Sequence, residues 1–253
     1  MYRFLLRPKW IAFHLLVISA IVLMLNLAQW QWHRHTERSA FNDTVATRSM
    51  QPPQPLAQLL ASSATPGDLS FRQTTVTGTY LAAPQFEVVN RAQGGSAGRN
   101  AVAALQLADG HLLLINRGFV QSDQPIPPVP SGPQQILGRL KSSEIRSAGQ
   151  GADDSSVKLT EIRRIDTDIL AGQFDQPLEP LYLEVISAEP PQSADLLPIE
   201  QPQLSGGPHV SYTVQWIIFS ICVAVGWVFA VRKSARSTQA TQTAPAAPAA
   251  PIE

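Results

Sequence analysis

Two long windows without charged side chains constrain this chain more than any other feature of its sequence. No Asp, Glu, Lys or Arg occurs in residues 10–32 or 201–231. About 20 helical residues cross the ~30 Å hydrocarbon layer of a bilayer, so each window is long enough. All five tryptophans lie in or beside these windows, toward their ends, where indole rings favour the membrane surface. The sequence therefore predicts two transmembrane helices, at residues 11–31 and 210–231.

A cleaved signal peptide is the alternative interpretation of the first window. The basic residues Arg3, Arg7 and Lys9 before it fit that alternative. However, the apolar stretch is long for a signal, and Trp30-Gln31-Trp32 is a poor cleavage site because small residues are needed there. These features favour a permanent anchor.

The charges near the helix ends predict the orientation of the chain. Residues 31–209, between the helices, hold 13 basic and 18 acidic side chains, a net charge of −5. Three basic residues precede the first helix (Arg3, Arg7, Lys9) and three follow the second (Arg232, Lys233, Arg236). Arg34 and Arg38 follow the first helix and weaken this asymmetry of positive charge between the two sides of the membrane. The positive-inside rule then predicts a multi-pass protein of the cell membrane with both termini in the cytoplasm.

Short strand-like segments fill the region between the helices. Alternating or β-branched runs are separated by Gly- and Pro-rich turns, and Asp109-Gly110 is a hairpin signal. They predict a mainly β (α+β) extracytoplasmic domain, a small barrel or a covered antiparallel sheet, over residues 67–190, with a helix at 162–170. A cytoplasmic N-terminus is expected at residues 1–10 and a disordered cytoplasmic tail at 232–253. Connectors are expected at 32–66 and 191–209. The first connector should be extended from residue 41, with a short helix at 56–61.

Few side chains of the outer domain can carry covalent or redox chemistry. Cys222 is the single cysteine and lies in the second helix, and there are only three methionines, which argues against copper or zinc sites built on sulfur. His111 is the only histidine base for a serine nucleophile, and it lies beside a turn. The adjacent acids Asp153 and Asp154 lack the fixed geometry of an acid–base pair. We therefore predict no enzyme activity, and a hydrolase or transferase on the outer face is the least favoured class of function. The net charge of zero argues against a nucleic-acid partner.

The outer ends of the two helices carry the most informative side chains. His209, Tyr212 and Trp216 lie at i, i+3 and i+7, within about 60° on one helical face. The corresponding end of the first helix carries five polar or aromatic residues that can converge with them (Trp30, Gln31, His33, Arg34, His35). An imidazole, aromatic rings and a guanidinium are what a haem needs for its iron, macrocycle and propionates. Interfacial anchoring and packing favour the same residue types, and spacing alone favours that alternative.

Four short motifs follow one another along the chain. They are Trp30-Gln31-x-x-Arg34, Gly78-Thr79-Tyr80 followed by Val89-Asn90-Arg91, Leu114-Ile115-Asn116-Arg117-Gly118-Phe119-Val120, and Gly207-Pro208-His209-Val210-Ser211-Tyr212-x-x-Gln215-Trp216. In this order, and with two helices around an outer β-rich domain, they resemble the Surfeit locus protein family of cytochrome c oxidase assembly factors. The Pro- and Ala-rich tail is similar to that of actinobacterial members.

The resemblance implies an assembly factor for the haem–copper cytochrome c oxidase that holds haem a and assists its insertion into subunit I. It implies His209 as the metal ligand, with five further cofactor-binding candidates (Tyr212, Trp216, Trp30, Gln31, Arg34). His33 and His35 are candidates for a second axial ligand. The expected partners are oxidase subunit I, other oxidase subunits or assembly factors, and the lipid bilayer. The alternative is a membrane-anchored scaffold that stabilises oxidase subunits without binding haem.

The sequence departs from the family pattern at two positions. Ala28 stands where the family often has glycine, which can alter how closely the first helix packs, and Phe119 stands where tryptophan is usual. Arg91 and Arg117 each follow an apolar strand, and we expect each to hydrogen-bond loop carbonyls at a strand end. The alternative is that they face a partner or haem propionates.

Overall fold

The computed structural model describes residues 3–63 and 65–243. The described parts of Met1–Asp43 and Leu204–Glu253 form one compact unit, and the described parts of Thr44–Gln203 form a second. In chain order the elements are helix α1 Pro8–Ser49, strand β1 Gln54–Pro55, helix α2 Leu56–Ser62, strands β2 Gln73–Gln93, β3 Ser96–Leu107, β4 Leu112–Gln121, β5 Pro133–Ser142 and β6 Glu161–Ile162, helix α3 Thr167–Ala171, strand β7 Leu178–Glu189 and helix α4 His209–Thr243.

Helices α1 and α4 contain both of the predicted membrane-spanning segments. Each is long and apolar enough to cross a membrane, with a mean hydropathy of 2.4 for the best window of α1 and 2.2 for that of α4. Most of the large aliphatic side chains in these windows are exposed in the protein chain itself. Such a surface is favourable only against an apolar surrounding such as lipid.

Both helices continue well beyond their predicted ends. The prediction of an extended connector from residue 41 is wrong up to Ser49, because no Pro or Gly interrupts residues 32–49 and the helix can propagate. The short helix predicted at 56–61 is confirmed by α2. The prediction that the tail is disordered from residue 232 is wrong up to Thr243, where α4 ends, and residues 244–253 lie outside the described part of the chain.

Five strands of the second unit close into a barrel. Strand β2 pairs with β3, β3 with β4, β4 with β7, β7 with β5, and β5 pairs back onto β2. Four of these pairings are antiparallel, and the pairing of β4 with β7 is parallel. A closed sheet leaves no unpaired edge among these five strands. Of the two alternatives predicted from the sequence, a small barrel or a covered antiparallel sheet, the barrel is present, with β1 and β6 added along β2.

Strand β4 explains why the domain has an apolar core on each face of its sheet. All nine residues from Leu112 to Val120 are buried, and successive side chains of a strand point to opposite faces. Leu113 and Ile115 join a cluster with side chains from all five barrel strands, which is the barrel interior. Leu112 and Leu114 join a second cluster on the outer face, which also receives Ile165 and other side chains from the segment between β5 and β7.

The helix predicted at residues 162–170 is only partly correct. Residues Glu161–Ile162 form strand β6, which pairs with β2, and α3 covers only Thr167–Ala171. The Asp166 side chain accepts a hydrogen bond from the backbone N–H of Ile169 and so caps the helix at its start. Burial of Ile162 and Ile165 in the outer cluster holds the preceding residues in extended form.

Arginine side chains stabilise the barrel rather than face outward. Arg117 is buried and donates hydrogen bonds to the carbonyl oxygens of Pro127 and Pro128, both at 2.8 Å, which confirms the structural interpretation of this residue. Burial lowers the pKa of Arg117. Arg91 instead forms an ion pair with the Glu144 carboxylate at 2.6 Å. The prediction that Arg91 hydrogen-bonds loop carbonyls is therefore wrong, because its partner is a carboxylate.

A buried ion pair joins strands β5 and β7 directly across the sheet. Arg139 donates from Nε at 2.9 Å and from Nη2 at 2.7 Å to one carboxylate oxygen of Glu184. Both residues are buried, with 5% and 8% of their surface exposed. A charge buried to this extent is tolerable only when its partner is present.

Candidate functional site

His209 is placed by the sharp turn that starts helix α4. Gly207 has a φ of +63°, a left-handed conformation that glycine adopts without strain. Pro208 follows, and its carbonyl oxygen accepts a hydrogen bond from the backbone N–H of Tyr212 at 3.1 Å, in the first turn of the helix. A Cβ at position 207 would lie 3.2 Å from the His209 ring, so the small residue also leaves room for the imidazole.

The His209 imidazole hydrogen-bonds across to helix α1. Its Nδ1 lies 2.9 Å from Oε1 of Gln31. An amide oxygen can only accept a hydrogen bond, so Nδ1 carries the proton in this arrangement. The lone pair of the neutral ring is then on Nε2, which has no hydrogen-bond partner within the described residues. A histidine that binds a metal has this same arrangement, with one ring nitrogen held by a hydrogen bond and the other free to coordinate.

A small charged cavity adjoins the imidazole. Its volume is about 160 Å³, and its walls come from His209 and from the α1 residues Arg34, Glu37, Arg38 and Phe41. Arg34 donates from Nη1 to the Glu37 carboxylate at 2.9 Å, and both side chains are more than half exposed. Arg38 donates from Nε to the Ser205 carbonyl oxygen at 3.1 Å, and its guanidinium carbon lies 5.4 Å from the centre of the Phe41 ring.

The structure brings some of the predicted site residues together and leaves others apart. Gln31 and Arg34 lie at His209, by a hydrogen bond and a shared cavity respectively. Trp216 is half-buried two turns further along α4, where its ring meets Phe219 edge-on at 6.0 Å. Trp30 and Tyr212 are 54% and 45% exposed and do not line the cavity. Whether any of these residues binds a cofactor stays a prediction.

The two candidates for a second axial ligand differ in their surroundings. His33 is exposed and points away from the face that carries Gln31, because two residues turn a helix by about 200°. His35 lies four residues after Gln31 and so shares its face. Its ring lies 5.5 Å from that of Trp32, and its Nδ1 is buried without a hydrogen-bond partner. Neither histidine lines the cavity.

Three residues of the cavity were absent from the candidates drawn from the sequence, namely Glu37, Arg38 and Phe41. The first helix was expected to end before them. The signal that would have found them is the spacing of Gln31, Arg34, Arg38 and Phe41, at i, i+3, i+7 and i+10 on one helical stripe. Ala28 belongs to the same stripe and is buried, with 5% of its surface exposed, as a small packing residue should be.

The features that hinted at hydrolysis are engaged elsewhere. His111 places Nδ1 2.8 Å from the Glu179 carboxylate on the protein surface. Asp153 pairs with Arg163 at 3.3 Å. Within residues 3–63 and 65–243, no group of three or more His, Cys, Asp or Glu side chains could hold a metal ion. A metal at His209 would therefore need most of its ligands from a cofactor.

The chain matches the model of the SURF1 family over residues 18–221, which include both His209 and Gln31. The chain belongs to the SURF1 family. An uncharacterised SURF1-like protein of Mycobacterium tuberculosis strain H37Rv is 33% identical over 233 residues, covering 88% of this chain and 83% of that protein. An uncharacterised SURF1-like protein of Mycobacterium bovis gives the same values, and a SURF1-like protein of Monosiga brevicollis is 24% identical over 232 residues, 86% of this chain and 87% of its own.

Membership explains the layout of the molecule. The SURF1 family is membrane-anchored, which agrees with two long apolar helices on either side of the barrel unit in the sequence. SURF1 proteins are known generally as oxidase assembly factors, a non-enzymatic class. The likeness to mycobacterial proteins confirms the actinobacterial resemblance of the sequence.

Proposed function

We propose that this SURF1-family protein holds haem a through His209 and assists its insertion into subunit I of a haem–copper cytochrome c oxidase. The observation that carries the proposal is the 2.9 Å hydrogen bond between His209 Nδ1 and Gln31 Oε1. It keeps the proton on Nδ1 and leaves the Nε2 lone pair free, so that His209 would be able to hold an iron ion. Transfer of an intact cofactor needs no covalent step, so the proposal includes no enzyme activity.

The donor groups at His209 fit haem better than they fit a bare metal ion. The described residues contain no cluster of metal-ligating side chains, and a porphyrin supplies four nitrogen ligands of its own. One protein imidazole would then be enough to hold the iron, as in many haem proteins. His209 would hold the iron, and bound haem would supply the redox-active centre that the oxidase requires.

The size of the cavity argues for a loose and transient hold. Its 160 Å³ is below the range of about 300–1,000 Å³ that encloses most small ligands. The macrocycle would therefore remain largely outside the protein, with the exposed rings of Trp30 and Tyr212 available on the helix surfaces. A carrier that must release its cofactor benefits from such incomplete burial, because fewer contacts have to be broken.

Arginines at the cavity supply charge for the haem propionates. Arg34 is held by Glu37 in an exposed ion pair, and exposed pairs of this kind contribute only about 0–1 kcal/mol. A propionate could therefore replace the Glu37 carboxylate at little cost. Arg38 places a second guanidinium in the wall of the same cavity.

The proposed site lies on the exoplasmic side of the cell membrane, with both termini in the cytoplasm. Three basic residues before the uncharged window 10–32 and three after the uncharged window 201–231 support this orientation under the positive-inside rule. His209 is the first residue of α4, so the candidate site is at the boundary of the apolar segment rather than in its centre. The partner proposed there is oxidase subunit I.

The proposal is tested by the visible spectrum of the purified protein. The full chain is produced in cells that make haem a, purified in mild detergent and compared with His209→Ala and His33→Ala. We expect the haem absorbance to be lost in His209→Ala and retained in His33→Ala, because His33 is exposed and does not line the cavity. Equal haem content in the wild type and His209→Ala would remove His209 from the ligand role.

A scaffold that stabilises oxidase subunits without binding haem is the second candidate function. The small volume of the cavity at His209 is the observation that favours it. This function predicts that deletion lowers the abundance of the oxidase while the remaining enzyme keeps its normal haem content. Haem insertion instead predicts oxidase that accumulates with haem missing from subunit I.

A further inference from the structure

A second and larger cavity lies at the other end of the helix pair. Its volume is about 440 Å³, within the range of small-molecule sites. Both helices contribute to its walls, with Lys9, Trp10 and Phe13 from α1 and Ala230, Lys233 and Ser234 from α4. It is formed by one compact unit and shares no residue with the cavity at His209.

The walls of this cavity combine an aromatic surface with two ammonium groups. The rings of Trp10 and Phe13 meet edge-on at 5.6 Å. One turn deeper, Trp227 of α4 donates from Nε1 to Nδ1 of His14 at 2.9 Å, which joins the two helices beside the cavity. The side chains of Lys9 and Lys233 are exposed at its rim. A ligand that suits these walls has an anionic head and an apolar body.

The two lysines have no acidic residue close to them along the sequence. The sequence contains no Asp or Glu in residues 1–36 or 201–252. Arg7 and Arg232 add further positive charge next to Lys9 and Lys233. Two ammonium groups that share one cavity repel each other, so an anion between them would remove an unfavourable interaction.

The position of the lysines along the helices matches the depth of lipid phosphates. Lys9 comes directly before the uncharged window 10–32, and Lys233 comes two residues after the window 201–231. In a membrane-anchored protein, both ammonium groups therefore lie where the hydrocarbon layer ends. The rings of Trp10 and Phe13 lie on the hydrocarbon side, next to the start of the acyl chains.

We propose that this cavity binds one anionic phospholipid. Its phosphate lies between Lys9 and Lys233, and the upper part of an acyl chain packs against Trp10 and Phe13. The proposal depends on the membrane anchoring of the family and not on haem binding. A bound lipid of this kind fixes these ends of the two helices to each other.

The test is a lipid titration of the full chain in mild detergent, followed by native mass spectrometry. The probes are dioleoyl phosphatidylglycerol and dioleoyl phosphatidylcholine, which differ in net charge and share the same acyl chains. The test variant is Lys9→Gln with Lys233→Gln. The matched control is Arg7→Gln with Arg236→Gln, which loses the same charge at the same helix ends outside the cavity.

We expect the wild type to bind phosphatidylglycerol in preference to phosphatidylcholine. The lysine variant should lose about 30-fold in affinity for phosphatidylglycerol, since about 1 kcal/mol is lost with each of the two ammonium groups that contact the phosphate. The arginines of the control do not line the cavity and make no such contact, so the control should keep most of the affinity. Equal losses in both double variants, or equal binding of the two lipids by the wild type, would overturn the proposal.

Two further arms keep the test decisive. Inorganic phosphate lacks acyl chains and should not displace the lipid. Complete displacement by inorganic phosphate would show that the cavity is a phosphate site and would refute the proposal that it binds a phospholipid. If the double lysine variant does not fold, Lys233→Gln is compared with Arg236→Gln, both on the same stretch of α4. A larger loss for Lys233→Gln supports the site, and an equal loss contradicts it.

Discussion

Replacement of Gln31 by leucine tests the proposed haem site without touching the proposed ligand. The change removes the oxygen that accepts the hydrogen bond from His209 Nδ1 at 2.9 Å. The imidazole is then free to rotate and to place its proton on either nitrogen. Both effects lower the fraction of molecules that direct an Nε2 lone pair to iron, while His209 itself remains in place.

The expected loss is about 10- to 100-fold in haem affinity, the usual effect of removing a hydrogen-bond partner from a metal-binding histidine. That corresponds to about 1.4–2.8 kcal/mol. The opposite effect is expected from Gln31→Glu. A carboxylate accepts the Nδ1 proton more strongly than an amide does and makes the ring a better donor, so the midpoint potential of the iron should fall.

The assay is a haem titration of the detergent-purified chain, followed at the Soret band, with a redox titration of the bound haem. Gln29→Leu is the matched control, because Gln29 is an exposed glutamine on the same helix, two residues away. Equal haem affinities for Gln31→Leu, Gln29→Leu and the wild type would refute the reasoning, as would a midpoint potential that does not change in Gln31→Glu.

Three further predictions concern the barrel and the second axial position. Glu184→Gln leaves the buried Arg139 guanidinium without its counter-charge and should cost about 3–5 kcal/mol in the free energy of unfolding, measured with urea; a loss below 1 kcal/mol would contradict this. Burial raises the pKa of Tyr80 from 10.0 to about 12, so between these pH values the unfolded phenol releases its proton while the folded one keeps it, and stability falls as pH rises. Tyr80→Phe should therefore show a shallower alkaline loss of stability, and an unchanged slope would show that the phenol does not contribute. If a second histidine binds the iron, His35→Ala should convert a low-spin haem spectrum to a high-spin one and His33→Ala should not, because only His35 lies on the Gln31 face of α1.

The apolar parts of this fold could be predicted from the sequence because their pattern has few solutions. An apolar, uncharged stretch of more than 20 residues is long enough to cross a membrane as a helix, and the apolar run Leu112–Val120 is typical of a strand covered on both faces. The polar half of α1 was missed since charged residues after Trp32 suggested the end of the helix, although nothing in that stretch breaks one.

Barrel closure was harder to predict than the individual strands. Only short strands separated by Gly- and Pro-rich turns were expected from the sequence. Residues Gln73–Gln93 instead form the single long strand β2, which accommodates Pro84 by a register shift between Tyr80 and Gln85. Its two halves use different neighbours, β5 for the first and β6 for the second. Such long-range pairings have no local signature in the chain.

The candidate site was predictable only in part, because local sequence patterns mark some of its residues and not others. Gln31, Arg34 and His209 were found because each lies at the edge of an apolar window. Their convergence follows from the antiparallel course of two neighbouring helices. Glu37, Arg38 and Phe41 complete the cavity from a part of α1 that the hydropathy pattern does not mark.

Closure of the barrel by β7 has a consequence for synthesis of the protein. This strand pairs on one side with β4 and on the other with β5, so the nascent chain exposes two open sheet edges until residues 178–189 have been translated. Only 19 residues separate the end of β7 from the start of α4. The barrel therefore completes its hydrogen bonding almost at the moment when the last helix emerges from the ribosome, and any chain released earlier carries edges that favour aggregation.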